Sequence, residues 1–457
     1  MSLWTAAEIA AATDGDVPSD FAVSGVAFDS REVGPGDLFV ALAGESTDGH
    51  RFLDQCFAQG AAGALVSVET RHPHVRVADT SVALDALARA SRARTEAKII
   101  GVTGSVGKTG TKEALFAALE RGARGSVHRS VKSYNNHTGV PLSLARMPAK
   151  SRFGVFEMGM NHAGELAALT RIVRPHIALV TAIAPAHTAF FSGEDAIADA
   201  KGEIFQGLEP GGTAIVPFDS PHRDRLMAAA APYAANVVTF GSDAGADVRA
   251  IETMPVASGG TFVTARLDDH ELSYTISQPG AHWVSNTLAV LAAVRAAGGD
   301  LALAGLALAE LEGLAGRGAR FAVPLAGGEA LVIDESYNAN PSSMRATLAV
   351  LGQEKTARKL VVLGEMRELG GNSEAYHASL ADPLRAAGVK AGILVGESMR
   401  ALSNVLEGQG DFVHVPDAAA ARERLRAMLA PGDAVLIKGS NGVGLSTVVA
   451  ALRSGIA

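Results

Sequence analysis

The chain has one cysteine, Cys56, so no disulfide can close within it and no structural zinc site built on several cysteines can form. The expected role for that thiol is a small buried apolar residue. Aromatic residues make up only 5% of the 457 positions, which leaves the cores to aliphatic side chains. No uninterrupted apolar run approaches the roughly 20 residues that cross a bilayer. Runs of lysine or arginine are missing too, and the formal net charge is −8. An extended nucleic-acid-binding face is therefore not expected, although a local basic pocket is compatible with that charge. The first ten residues lack a basic segment followed by an apolar core, and they look like a first helix rather than a signal peptide. The expectation is a cytosolic protein without membrane insertion.

Alanine and glycine are plentiful, and the hydrophobic fraction of 48% is enough for sizeable cores. The length implies two to three domains. Within it, the stretch from Lys98 to Lys112 reads as the end of a buried strand, a glycine-rich turn and a helix start. Gly101, Gly104 and Gly107 are expected to let the backbone curl and aim its N–H groups at one point. The helix that follows, expected from about 109 to 120, turns its positive N-terminal end to the same place. Lys108 adds a full charge and the Thr109 hydroxyl is a ligand for Mg²⁺. Gly104, Ser105, Val106, Gly107, Lys108, Thr109 and Gly110 thus form a site for a nucleoside triphosphate. The strict phosphate-loop pattern wants glycine five residues before Gly107, where Val102 stands; Gly101 lies one earlier, a shifted variant.

The order of signals divides the chain into three α/β units. Residues 1–96 read as helix 5–12, strands 23–28, 38–42 and 64–67, and helices 52–58 and 82–95. Asp29-Ser30-Arg31, at a strand end, suits a phosphate or a uracil edge, or is a solvated turn. Residues 97–316 carry the phosphate loop and then a polar loop with Asn135 and Asn136, suited to a phosphate, to a metal-bound water or merely to a turn. Glu157 ends an apolar strand over 152–159, where a carboxylate is costly unless paired or metal-bound. His187 follows a strand over 177–183, at the strand end where α/β proteins place their chemistry. Lys201 shares a helical face with Ile197 and Ile204; turned inward it needs anions or chemical neutralisation, and the alternative is a side chain that snorkels to solvent. Strands over 213–216 and 236–240 follow, then a β-rich insertion at 247–277 and a helix from 280 to 291. Residues 317–457 read as a Rossmann-like sheet of four strands, 330–333, 360–364, 392–396 and 434–440, without the glycine spacing of a dinucleotide fingerprint.

Taken together, these residues resemble the Mur ligase family over the whole chain. The phosphate loop from Thr103 to Thr109 is shared by that family. Asp29-Ser30-Arg31 followed by Pro35 to Leu42 is similar to its uridine-binding N-terminal domain. The segments 135–141 and 201–204, with Glu157 and His187, resemble its central metal and substrate positions. The loops 334–341 and 362–370 are similar to those of the branch that adds D-alanyl-D-alanine to UDP-N-acetylmuramoyl-tripeptide.

The resemblance implies three α/β domains: a small UDP-binding domain (1–96), a central ATP-binding parallel-sheet domain (97–316) and a C-terminal Rossmann-like domain (317–457). It implies ATP and two Mg²⁺ as cofactors, UDP-N-acetylmuramoyl-tripeptide and D-alanyl-D-alanine as partners, and a monomer. Lys108 would contact the β- and γ-phosphates. Thr109 and Glu157 would hold one Mg²⁺ and His187 the second. Lys201 would be carbamoylated, turning a costly inward cation into an anion that supports the metal. Asn286 would contact adenine, Arg317 the γ-phosphate and Asp334 the ribose. Ser30, Arg31, Asn135, Asn136, Tyr337, Asn338, Lys438 and Ser440 would face the substrates. The family's adenine-side motif usually has asparagine three residues before Asn286; here that position is Trp283, so one polar contact is missing or replaced by stacking. Two other readings fit the same residues: a sister ligase of this architecture (diaminopimelate- or lysine-adding, or folylpolyglutamate synthetase-like) and a non-catalytic nucleotide-binding scaffold.

Overall fold

The computed structural model describes residues 2–44, 47–186, 188–257 and 259–455. Its first sheet has four parallel strands in chain order, β1 (Gly25–Ala27), β2 (Asp37–Val40), β3 (Gly63–Val66) and β4 (His74–Arg76). β4 escapes a sequence reading because three residues, two of them basic or titratable, give no alternation to count. A helix over Ala6–Thr13 opens the chain, close to the expected span. It starts where the Thr5 hydroxyl accepts the Glu8 amide while the Glu8 carboxylate accepts the Thr5 amide. Cys56 is fully buried and burial pushes its thiol up to about 11, the inert apolar role expected of it.

The central sheet is built from β5 (Lys98–Thr103), β6 (Val127–Arg129), β7 (Phe153–Glu157), β8 (Ile177–Val180), β9 (Thr213–Pro217), β10 (Asn236–Gly241), β11 (Val248–Pro255), β12 (Thr261–Leu267) and β13 (His270–Ile276). In space the order is β13-β12-β11-β10-β9-β8-β5-β7-β6. The pairs from β6 to β11 are parallel, and β11-β12-β13 is an antiparallel meander. The β-rich stretch near 247–277 is thus no separate insertion: β11 pairs with β10 and extends the main sheet. Helices α1 (Lys108–Gly122), α2 (Gly139–Ala145), α3 (Glu194–Gly202) and α4 (Ala281–Ala296) flank it. Leu115 and Leu119 of α1 and Leu288 and Leu291 of α4 pack on one face, and Ile197 of α3 and Leu144 of α2 on the other.

β5 lies between β8 and β7, so the chain departs from β5 to one side and later returns on the other. The turn after β5 therefore opens into the crevice at the carboxyl ends of the strands, where open α/β sheets bind ligands. Gly101 takes no part in that turn, contrary to expectation. It sits inside β5, and a Cβ on it would lie 2.6 Å from the Met158 methyl carbon. Its lack of a side chain serves packing between strand and core. The curl comes from Gly104 and Gly107, at φ +148° and +86°.

The third sheet has six strands rather than four: β14 (Ala319–Leu325), β15 (Gly328–Glu335), β16 (Arg358–Gly364), β17 (Ala391–Val395), β18 (Asp411–Val415) and β19 (Asp433–Lys438). The spatial order is β14-β15-β19-β16-β17-β18, parallel except for β14. The two missed strands are the edges. β14 carries Pro324 and β18 is largely half-buried, so neither shows the continuous apolar run of a central parallel strand. Helix α5 (Pro341–Gln353) starts from Asn340, whose side chain accepts the Ser343 amide at 2.8 Å. Among the described residues no helix is long and apolar enough to cross a membrane.

Candidate active site

The loop between β5 and α1 is fastened from the side by β8. Ser105 N donates to Ala182 O at 2.7 Å, and the Thr181 hydroxyl donates to Val106 O at 2.6 Å. The fit is close: a Cβ on Gly104 would stand 2.0 Å from Thr181 Oγ1, and one on Gly107 would stand 2.8 Å from Asn286 Oδ1. Glycine at 104 and 107 is therefore required by conformation and by space. Lys108 Nζ donates to Gly104 O at 2.6 Å, folding the ammonium over the loop. Burial lowers its pKa, nearby Glu157 opposes the shift and Arg317 adds to it.

Two observations fit a triphosphate and Mg²⁺ to this loop. Among the described residues the buried Ser105 hydroxyl has no hydrogen-bond partner, an orphan on the phosphate loop itself. The Thr109 hydroxyl donates to Glu157 Oε2 at 2.9 Å, which brings two hard oxygen donors together at the helix N-terminus. Glu157, only 1% exposed, also accepts Asn135 Nδ2 at 2.7 Å. His187, expected as the ligand of a second metal, lies outside the described residues.

Lys201 is buried near the end of α3, and among the described residues nothing accepts a hydrogen bond from it. Desolvation sets its pKa well below the usual lysine range, Lys108 reinforces this, and Glu157, Glu165 and Glu203 oppose it. The side chain thus lies inward, one of the positions its helical face allowed.

Across from the loop stands the C-terminal domain. One cavity of about 460 Å³ is lined by Ser105–Lys108, Gly110, Asn135, Glu157 and Asn286 on one side and by Arg317, Glu335, Tyr337, Asn338 and Lys438 on the other. The Arg317 guanidinium lies 4.1 Å over the Tyr337 ring, and its Nη2 donates to Ser133 Oγ of the central domain at 3.2 Å. The loop after residue 187 also meets this domain: Ala189 N donates to Glu368 O and the Thr188 hydroxyl to Leu369 O, both at 3.0 Å.

Five of the expected contact residues lie outside the cavity lining. Asp334 does not line the cavity. Its carboxylate accepts Gly316 N at 2.8 Å and the Ser336 hydroxyl at 2.7 Å, so it fixes the backbone that carries Arg317. Asn136 Oδ1 accepts Gly139 N at 2.9 Å and starts α2. Ser440 Oγ accepts Arg367 N at 2.9 Å and clamps two loops together. Ser30 and Arg31 stand on the first domain, away from the cavity. Arg31 there forms a bidentate pair with Asp29 and, by its hydrogen bonds, holds that carboxyl down to about 2.

Sequence reasoning missed several lining or supporting residues. Trp283 lines the cavity against Gly110, its ring 3.0 Å from where a Cβ there would be. His282 beside it is held neutral, pushed down to about 4 by burial with Lys438 adding to the shift. Lys112, wholly buried, donates to Ser130 O at 2.9 Å and Lys132 O at 2.6 Å, pairs with Glu113 at 2.9 Å and lies 4.0 Å from Glu157. It thereby holds the 130–135 loop, which gives Ser133 and Asn135 to the cavity. That loop reaches the first domain too, through Tyr134 Oη to Glu32 at 2.7 Å and a Lys132–Glu32 pair. No sequence signal marks Lys112, since a lysine between Thr111 and Glu113 on a helix reads as part of a solvated face.

Three family models match the chain: "Mur ligase family, catalytic domain" at 22–99, "Mur ligase middle domain" at 102–294 and "Mur ligase, glutamate ligase domain" at 319–441. The UDP-N-acetylmuramoyl-tripeptide–D-alanyl-D-alanine ligase of Escherichia coli (strain K12) is 36% identical over 439 residues, covering 95% of this chain and 95% of that protein. A protein of the same name from Bacillus subtilis (strain 168) is 34% identical over 362 residues, 78% of this chain and 76% of its own length. Among solved structures, MurF from Acinetobacter baumannii superimposes with a TM-score of 0.84 at 31% identity, over 99% of both chains. MurF ligase from Thermotoga maritima in complex with ADP gives 0.77 at 25% identity, over 95% of this chain and 98% of that one.

Proposed function

The chain belongs to the Mur ligase family, and from that premise we propose that it joins D-alanyl-D-alanine to UDP-N-acetylmuramoyl-tripeptide in an ATP-dependent reaction that makes the pentapeptide precursor of peptidoglycan. The observation that carries this reading is the shared cavity, in which the phosphate loop faces Arg317, Glu335 and Lys438 of the C-terminal domain. A carboxylate is a poor electrophile. In the proposed sequence its oxygen attacks the γ-phosphorus, the bond to ADP breaks, and an acyl phosphate results. The dipeptide nitrogen then attacks the carbonyl carbon, and phosphate departs with the electron pair of the broken C–O bond.

Each domain has a task in that sequence. Ser30 and Arg31 hold the UDP end. The backbone of Gly104–Gly110, with Lys108 and the Ser105 hydroxyl, binds the triphosphate, and Asn286 with Trp283 flanks the base. Arg317 reaches in to the γ-phosphate, while Asn135, Tyr337, Asn338 and Lys438 face the acceptor side. Two Mg²⁺, one held by Thr109 and Glu157 and the other by His187, would supply charge neutralisation for the phosphoryl group. The Lys201 amine adds carbon dioxide and releases a proton to become a carbamate, an anion that supports this metal site. The resemblance implies a monomer, and ATP with a nucleotide-linked substrate suits the cytoplasm.

The test is direct. Supplied with ATP, Mg²⁺, UDP-N-acetylmuramoyl-tripeptide and D-alanyl-D-alanine, the protein is expected to release phosphate and form the pentapeptide, read by mass, with either the lysine or the diaminopimelate form as acceptor. Phosphate release that requires free lysine or diaminopimelate as the amine would reassign it to a sister ligase. In the same assay Lys201→Met is expected to lose turnover, whereas Lys201→Glu, which brings a ready-made carboxylate, keeps part of it. Equal activities of the two variants would dismiss the carbamate.

A further inference from the structure

At the carboxyl end of the C-terminal sheet, β15 and β19 lie side by side, and their last residues, Glu335 and Lys438, are register partners. β19 comes last in the chain yet sits between β15 and β16, so these two residues stand at that sheet's own switch point. Both line the cavity that holds the phosphate loop. Lys438 Nζ donates to Asn338 O at 2.9 Å and approaches Glu335 Oε2 at 3.4 Å. Among the described residues no side chain or amide donates to Glu335 Oε1; it faces Gly318, where a Cβ would lie 3.6 Å away.

The site thus presents a carboxylate oxygen without a donor among the described residues beside a lysine cation, on the domain opposite the phosphate loop. A dipeptide zwitterion is complementary to that arrangement. We propose that Glu335 receives the ammonium of the incoming dipeptide and takes one proton from it, making it the general base of the ligation. This rests on the ligase reading above. The ammonium gives its proton to Glu335, and the freed lone pair forms the C–N bond. The C–O bond to phosphate breaks, and the second N–H proton leaves with the departing phosphate. Glu335 returns its proton to solvent after product leaves.

The surroundings suit the task. Burial raises the Glu335 pKa and Asp334 adds to it, while Lys438 and Arg317 pull it back. Facing it across the cavity, on α4, is His282, kept neutral. A base with a raised pKa accepts a proton more readily than an ordinary carboxylate, and catalytic bases contribute about 10²–10⁴-fold.

The test compares two nucleophiles on the full enzyme. D-Alanyl-D-alanine arrives protonated and needs a base; hydroxylamine, largely unprotonated at neutral pH, traps the acyl phosphate as a hydroxamate without one. Glu335→Gln is expected to lower kcat with the dipeptide about 10²-fold, raise its KM, and leave hydroxamate formation within a few-fold of wild type. In wild type, kcat/KM for the dipeptide falls on the acid side as Glu335 protonates, and that limb disappears in E335Q. Equal losses with both nucleophiles, or dipeptide ligation unchanged in E335Q, would overturn the proposal. If E335Q does not fold, Glu335→Asp carries the test: it is expected to keep the acid limb and lose rate only with the dipeptide, and an equal loss with hydroxylamine would overturn the proposal. A wild-type enzyme that makes no pentapeptide refutes the ligase reading itself, a result distinct from any of these.

Discussion

Lys108→Ala is expected to lower the ligation rate by about 10³-fold, on the scale set by removing a cation or donor aimed at charge that develops in the transition state. The side chain stands at the start of α1 with its ammonium bonded to the Gly104 carbonyl at 2.6 Å. That bond is local and replaceable, so a bound triphosphate would draw the ammonium onto its oxygens. The proton balance also changes sign there: burial lowers the lysine pKa in the free protein, and several phosphate charges within contact would raise it again. The loss should fall on kcat and on nucleotide affinity together, while the urea midpoint stays near wild type because the side chain is half-buried and its ammonium makes one local hydrogen bond. Phosphate release and ADP titration measure the two effects. Turnover within a few-fold of wild type would show that the loop backbone alone carries the phosphates.

The second large effect is one of stability. Lys112→Met is expected to lower unfolding free energy by about 3–5 kcal/mol, the range for breaking a buried charge pair by removing one partner. Methionine fills similar volume but donates nothing. The carbonyls of Ser130 and Lys132 lose their donor, and Glu157 loses the buried cation 4.0 Å away. Because Ser133 and Asn135 ride on the released loop, activity should fall as well, with a higher Mg²⁺ requirement. A urea titration and a Mg²⁺ titration of rate check the two halves. An unchanged midpoint would mean that the loop is held by its other contacts, Tyr134–Glu32 foremost.

These two lysines also mark what could be read before any coordinates. Lys108 announces itself because glycine, lysine and threonine follow an apolar strand. For Lys201, periodicity gives the Ile197–Ile204 face and leaves burial or snorkelling open, and the structure buries it. Lys112 was not legible, because Thr-Lys-Glu on a helix looks like a solvated face until the 130–135 loop covers it. The pair Asp334 and Glu335 teaches the same lesson in a strand. Side chains alternate, so adjacent carboxylates must face opposite ways, but only the pairing with β19 tells which one faces Lys438. On that alternation Asp334 turns to Gly316 N and the Ser336 hydroxyl, while Glu335 turns to the cavity. Edge strands β14 and β18 were missed because half-exposed strands lack a continuous apolar run, and Gly101 was misread because a packing glycine and a turning glycine look alike in one dimension.

The seam between the central and C-terminal domains beside this cavity is closed by Ala189 N on Glu368 O and by the Thr188 hydroxyl on Leu369 O. Both acceptors are peptide carbonyls, present whatever residue occupies 368 or 369. On the C-terminal side the joint is therefore blind to sequence, while on the central side it needs a hydroxyl at position 188. Lineages can exchange side chains along the C-terminal side, tuning charge or bulk around the acceptor dipeptide, without re-evolving the fit of one domain to the other. Proline at 189, which removes the amide, is a change this tolerance does not cover.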